Sequence, residues 1–294
     1  MQPLRYAFRF IEASFSKLLS DSRQQKNWLI FFVGGASLCA LSLLPLALII
    51  RFMGLSPLGL GLIGLIAGCL FLGLVLWGKL RALITCQNFT LATQDAEEQT
   101  ESALPDRVPQ RHWKDVVLWI LAKPWLQMAS WRARFFQGQV KPQAQWLDAY
   151  HLVTPLIALE DLNFSQAIQR AKGIQEERLL RFRSDLVAVR PVGAVLQWLL
   201  IISGAIVGLL VAFNIAYANT TGFRRRLLGM GVGMIILGAA TLLGMAFKNF
   251  TEACYQSALY QWVCNVAAAR EAGDKGLALA PESLRRVFGR KDLL

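Results

Sequence analysis

Long apolar runs separated by short polar breaks set the pattern of this chain. The first extends from about Trp28 to Ile50 and stops at Arg51. Pro57, a residue suited to the first turn of a new helix, then opens a second run from about Leu58 to Trp77, closed by Lys79 and Arg81. A third run lies at about Val192 to Ala218, and after the turn Asn219–Gly222 a fourth extends from about Leu227 to Phe247. Each reaches the roughly 20 residues that cross a bilayer core, and the short connections predict two antiparallel helical hairpins. The fold class expected is therefore all-α: a polytopic helical membrane protein with four spans, or six if the middle of the chain also crosses.

Outside these runs the period changes to that of amphipathic helices. Over residues 4–20, Leu4, Phe8, Ile11, Phe15 and Leu18 recur three or four apart, and Arg5, Arg9, Glu12 and Ser16 fall on other faces. Too polar to span, this segment is expected to lie in the membrane interface, with Arg5 and Arg9 among the headgroups. It lacks the order of a signal peptide and reads as retained. Residues 94–112 form a polar loop. Its acidic cluster Asp95, Glu97 and Glu98 is expected to be solvated rather than to hold a cation.

Residues 113–136 carry Trp113, Trp119, Trp125 and Trp131 among apolar stretches broken by Lys123 and Pro124. Indoles at this density favour the headgroup zone, so the segment reads as an interfacial or re-entrant helix, with a full span as the alternative. The apolar stretch 147–161 reads as a partial membrane dip, too short to cross. Asn163 or Asp161 can cap a basic helix from about Ser165 to Asp185, whose Arg178, Arg181 and Arg183 suit a membrane surface. Beyond the fourth run a more polar helical extension reaches about Glu271, and a short helix is expected at Pro281–Phe288. The organisation is thus an interfacial helix (1–26), a first hairpin (27–80), an interfacial region (81–191), a second hairpin (192–247) and a helical extension (248–294).

Composition sharpens this picture. Of the 294 residues 55% are hydrophobic and only 17% charged, against about 25% charged in soluble domains. The net charge of +12 sits largely around the apolar runs, which points to anionic membrane lipids as partner and away from nucleic acid. Both the first 27 residues and the tail are basic, so both termini are placed in the cytoplasm by the bias of basic residues. The triplet Arg224–Arg226, in a turn that would face outward, runs against this bias. The compartment expected, on the family resemblance given below, is a prokaryotic cytoplasmic (inner) membrane.

Glycine is frequent in the spans. Gly64 and Gly68 form a small-xxx-small pair, and Gly204, Gly208, Gly229 and Gly233 are further close-packing candidates. Packing within the chain is the expected use of Gly64 and Gly68, with a dimer face as the alternative. The five cysteines lack metal-ligand spacing, and no cofactor is expected.

The most interesting polar group is Glu160–Asp161, paired carboxylates following an apolar stretch, with His151 earlier on the chain. They can be read as an acid/base or ion site. The plainer expectation is that Asp161 caps a helix and Glu160 pairs with Arg170. The four runs contain no Asp, Glu, Lys, Arg or His, which argues against an ion-coupled carrier. A carrier lined by Asn214 and Ser203 is a weaker alternative. With no catalytic motif present, an enzyme is not expected.

Two stretches, LVTPLIALEDLNFSQAIQRAK at Leu152–Lys172 and NFTEACYQSALYQWV with its Ala258–Tyr260 step, resemble a poorly characterised family of prokaryotic multi-pass membrane proteins. The resemblance implies a six-helix architecture and no known activity. The function expected from the residues is a non-enzymatic membrane scaffold or accessory subunit, associating with a membrane-protein partner or with itself. A channel or transporter for a small solute is the alternative.

Overall fold

The computed structural model describes residues 2–53, 56–94, 114–115, 117–122, 125, 128, 150–160, 162–176, 189–217 and 223–271. Among them every regular element is helical: α1 (Gln2–Ser20), α2 (Ser22–Met53), α3 (Pro57–Gln94), a 3₁₀ turn (Tyr150–Leu152), α4 (Val153–Leu159), α5 (Phe164–Glu176), α6 (Val189–Tyr217) and α7 (Phe223–Glu271). Residues 114–115, 117–122, 125 and 128 are also helical. The expected helix at 281–288 lies outside the described residues, as does α5 beyond Glu176.

The chain divides into two compact units that interleave along the sequence. One holds residues 28–78 and 193–249, and the other residues 1–27, 79–192 and 250–294. The divisions fall beside Lys79 and Lys248, where the apolar runs give way to charge. α3 has 38 residues and α7 has 49, so they are about 57 and 74 Å long, against a hydrocarbon core of roughly 30 Å. Each continues well past its span without a break. Three described stretches, 57–90, 192–215 and 231–271, are long and apolar enough to cross a membrane. α2 carries the remaining apolar run and exposes Leu29, Val33, Leu41 and Phe52.

The membrane-spanning unit has an apolar core. Phe31, Leu74, Leu242, Met245 and Ala246 form its core, with Trp28, Phe32, Leu38, Leu70 and Trp77 packed against it. The Trp77 ring lies directly over Gly34, and its indole N–H donates to the carbonyl oxygen of Phe31 at 3.0 Å. α6 and α7 meet through small residues. A Cβ on Gly208 would stand 2.7 Å from the carbonyl oxygen of Gly233, one on Gly204 would strike Ala240, and Gly229 is buried. Gly64 and Gly68 differ: among the described residues, a Cβ on either would meet nothing within 4 Å. Their expected use in packing within the chain is therefore corrected; they lie on an open face of α3.

The second unit has a core of its own. The 3₁₀ turn and α4 are buried almost throughout, with Val153 and Leu156 fully enclosed. The stretch read as a partial membrane dip is thus a protein core helix. Its apolar side chains pack on protein, which the hydrophobic effect rewards as readily as lipid does. α1 is also corrected. Ala7, Phe10, Ile11 and Ser14 are its buried face, Phe10 and Phe15 make edge contacts with Tyr255 and Phe250, and Phe8 is exposed. The apolar stripe of α1 is rotated from the one expected, and protein covers it. Small residues also bring α3 and α7 together in this unit: the Cys86 thiol donates to the carbonyl oxygen of Ala253, and the Ser257 hydroxyl donates to that of Cys86.

Candidate functional site

The polar residues singled out from sequence sit around α4 and α5. Asn163 caps α5 reciprocally: its Oδ1 accepts from the Gln166 N–H at 2.9 Å, and Gln166 Oε1 accepts from the Asn163 N–H at 3.2 Å. This is a capping box, satisfying two amides that the helix start would otherwise leave open. The next amide, Phe164 N–H, donates to Asp115 Oδ1 at 3.0 Å. Together these fix the turn after α4 and therefore the place of Glu160.

Glu160 is bound on both oxygens. Oε1 accepts from the Tyr260 hydroxyl at 2.8 Å, and Oε2 lies 3.7 Å from Arg170 Nε. Glu160 also ends α4, its N–H donating to the carbonyl oxygen of Leu156. Burial, followed by neighbouring Cys264 and Glu160, pushes the Tyr260 phenol well above its usual range, so it remains a donor at neutral pH. A carboxylate held between a phenol and a guanidinium is a clasp joining α4, α5 and α7. Each of its oxygens faces one partner, an arrangement suited to holding the three helices together.

His151 does not join this group. It lies in the 3₁₀ turn at the opposite end of α4, about 13 Å of helical rise from Glu160. The residue is only 4% exposed, and its ring is tilted 57° against that of Tyr150 with centroids 3.9 Å apart. Asp161 lies outside the described residues. The proposed set of three is thus not assembled around one reacting position among the described residues. Tyr260 was missed by sequence reading, since nothing local in a position 100 residues from Glu160 announces the contact.

A second polar cluster lies where α2, α3 and α7 run together. Lys79 Nζ stands 3.5 Å from Glu252 Oε2, and Gln256 donates to Glu252 Oε1. Asn27 donates to Thr85 Oγ1 at 3.0 Å and accepts from Arg81, while Gln24 donates to the carbonyl oxygen of Thr85. Glu252 and Asn27 are both buried, so these bonds satisfy groups that would otherwise be costly to enclose.

The tryptophans read as lipid-facing divide. Trp119 is 3% exposed and donates from its indole to Thr154 Oγ1 at 3.1 Å, so its assignment to the lipid interface is corrected. Trp125 is 72% exposed. Arg5 and Arg9 are exposed. Trp113, Trp131, Arg178, Arg181 and Arg183 lie outside the described residues.

If the Glu160 clasp is structural, Tyr260→Phe removes one hydrogen bond and little else. Amide hydrogen exchange at the end of α4 is then expected to speed up about three- to tenfold, the equivalent of 0.5–1.5 kcal/mol. Unchanged exchange at Glu160 would remove the clasp as a stabilising contact. No protein-family model, curated protein or solved structure matches the chain, so what it does has to be read from its own residues.

Proposed function

We propose that the chain is a non-enzymatic scaffold or accessory subunit of a membrane complex, with four spans in a prokaryotic cytoplasmic membrane and both termini cytoplasmic. The observation that carries this reading is the fate of the polar groups within the spans. Ser37, Ser203, Asn214 and Thr241 each donate back to a carbonyl of their own helix: Val33, Leu200, Leu210 and Leu237. Ser203 and Asn214, the residues that could line a carrier, are exposed rather than turned into the bundle. Aromatic and aliphatic side chains fill the space between the helices. A transport path needs polar groups convergent on a water-filled interior, and this arrangement favours a packed support instead.

The middle of the chain bears on the span count. The burial of Tyr150–Leu159 in protein weighs against one of the two extra crossings that six spans would need, so the six-helix architecture implied by the resemblance is the less favoured one. Anionic lipids are part of the proposal, through the exposed basic residues of the non-spanning unit.

Capture of the chain in native nanodiscs from its source membrane, with mass spectrometry of the companions, is the direct test. A stoichiometric membrane-protein companion is the expected result. A lone chain that mediates solute flux in proteoliposomes would overturn the scaffold reading and establish the transport one.

A further inference from the structure

The corner between α1 and α2 encloses oxygen atoms that nothing binds. α1 ends at Ser20 and α2 begins at Ser22, so Asp21 is the single residue between them. Its Oδ1 caps α2, accepting from the Arg23 N–H at 2.9 Å, while its Oδ2 is enclosed and has no hydrogen-bond partner. Gln24 stands three residues on, at the spacing from which Gln166 completes the cap of α5. Here the glutamine is diverted. Its Nε2 donates to the carbonyl oxygen of Thr85 on α3 at 3.4 Å, and its Oε1 is left enclosed without a partner. Turning the amide over would set an oxygen against the Thr85 carbonyl oxygen, so the unmatched atom is an acceptor. Gln24 is only 2% exposed. α3 brings a third group. Gln24 meets Thr85 and Asn27 meets Arg81, so α2 and α3 run antiparallel here, and one further turn sets Asn88 level with Asp21. Asn88 shares the face of Thr85, is 8% exposed, and its side-chain amide is bonded by none of the described residues.

We propose that Asp21, Gln24 and Asn88 bind a monovalent alkali cation of the sodium type. Leaving buried acceptors unmet is costly, so enclosed, unmatched oxygens on one side of a helix call for a bound donor or cation. The donor set is oxygen alone, which suits a hard cation. Its charge follows from the count: one carboxylate balances one positive charge. A divalent ion would retain an uncompensated charge in an enclosed corner whose neighbours on α2 include Arg23 and Lys26. The helix poles agree. The negative end of α1 points at this corner, and the positive end of α2 is already met by Asp21 Oδ1. A cation held there ties the corner between the first two helices to α3.

The site does not depend on the scaffold reading, so the two can fail separately. The test is amide hydrogen exchange over residues 18–28 of the full chain in nanodiscs, compared in sodium chloride and in choline chloride at equal ionic strength. With sodium at about ten times its dissociation constant, exchange that requires the corner to open is expected to slow about tenfold. Potassium chloride producing the same slowing would support the alkali class. Asp21→Asn keeps the cap, because asparagine caps a helix as well as aspartate does, and is expected to abolish the response. Asn88→Ala is expected to raise the sodium concentration needed for half of it. A response retained in Asp21→Asn would overturn the proposal, as would a response to calcium or magnesium with none to sodium or potassium. No response to any of the four cations would assign the corner to a buried water and overturn it equally.

Discussion

Gly208→Leu is expected to drive α6 away from α7 and to cost the membrane-spanning unit about 1–3 kcal/mol at least, the usual penalty for overfilling a packed contact. The reason is backbone proximity. A Cβ at this position would stand 2.7 Å from the Gly233 carbonyl oxygen, and Gly233 faces the same limit from the Gly208 carbonyl oxygen. No rotamer relieves a clash with a carbonyl on a neighbouring helix, so the helices must separate along this contact. The neighbouring Gly204–Ala240 contact is expected to loosen with it. Gly64→Leu is the informative comparison. It makes an equal change in volume where a Cβ would meet nothing within 4 Å, and is expected to alter stability by no more than about 0.5 kcal/mol. Reversible unfolding in mixed micelles separates the two outcomes. Equal losses for both variants would show that span hydrophobicity, rather than close approach, sets the effect.

Leu156→Ala is expected to destabilise the other unit by about 2–5 kcal/mol, because a fully enclosed side chain is truncated and leaves a cavity. The same exchange at Leu209, which is 68% exposed on α6, is expected to be almost silent. In nanodiscs, limited proteolysis of the non-spanning unit reads the difference directly. Rapid cleavage of Leu156→Ala with an intact Leu209→Ala fits a protein core at α4. Equal resistance of both would mean that α4 makes its apolar contacts elsewhere, as a membrane dip would.

Both predictions concern positions where sequence and structure parted. Glycine spacing pointed to Gly204, Gly208 and Gly233 but missed the close approaches at Gly34, Gly35 and Gly78, and its pattern is the same at Gly64–Gly68 and at Gly204–Gly208. Only the neighbouring helix tells a used face from an open one. The stretch around Leu156 was legible as apolar and as too short to cross. Its destination was not, because an apolar side chain leaves water for lipid or for protein with similar gain. α1 shows a subtler limit. Its amphipathic period was correct, yet Phe8 of the expected stripe is exposed, and Phe10, which the stripe left out, is buried. A helix with aromatic residues at both positions has two candidate stripes, and contact with Tyr255 and Phe250 selected one. The carboxylate of Glu160 was visible as a polar group with Arg170 in reach, whereas its partner Tyr260 was not.

By itself, then, the sequence determined the all-helical class, the positions of the apolar runs, a cap of α5 at Asn163 or Asp161 and the continuation of the last helix to about Glu271. These follow from local rules: run length against bilayer thickness, side-chain period, and cap chemistry within a few residues. Tertiary structure alone decided which apolar surfaces meet protein and which remain exposed. It buried α4 and Trp119, opened Gly64 and Trp125, and clasped Glu160 to Tyr260. Each of those outcomes depends on segments far apart in the chain competing to cover the same surface, and that competition has no local signature.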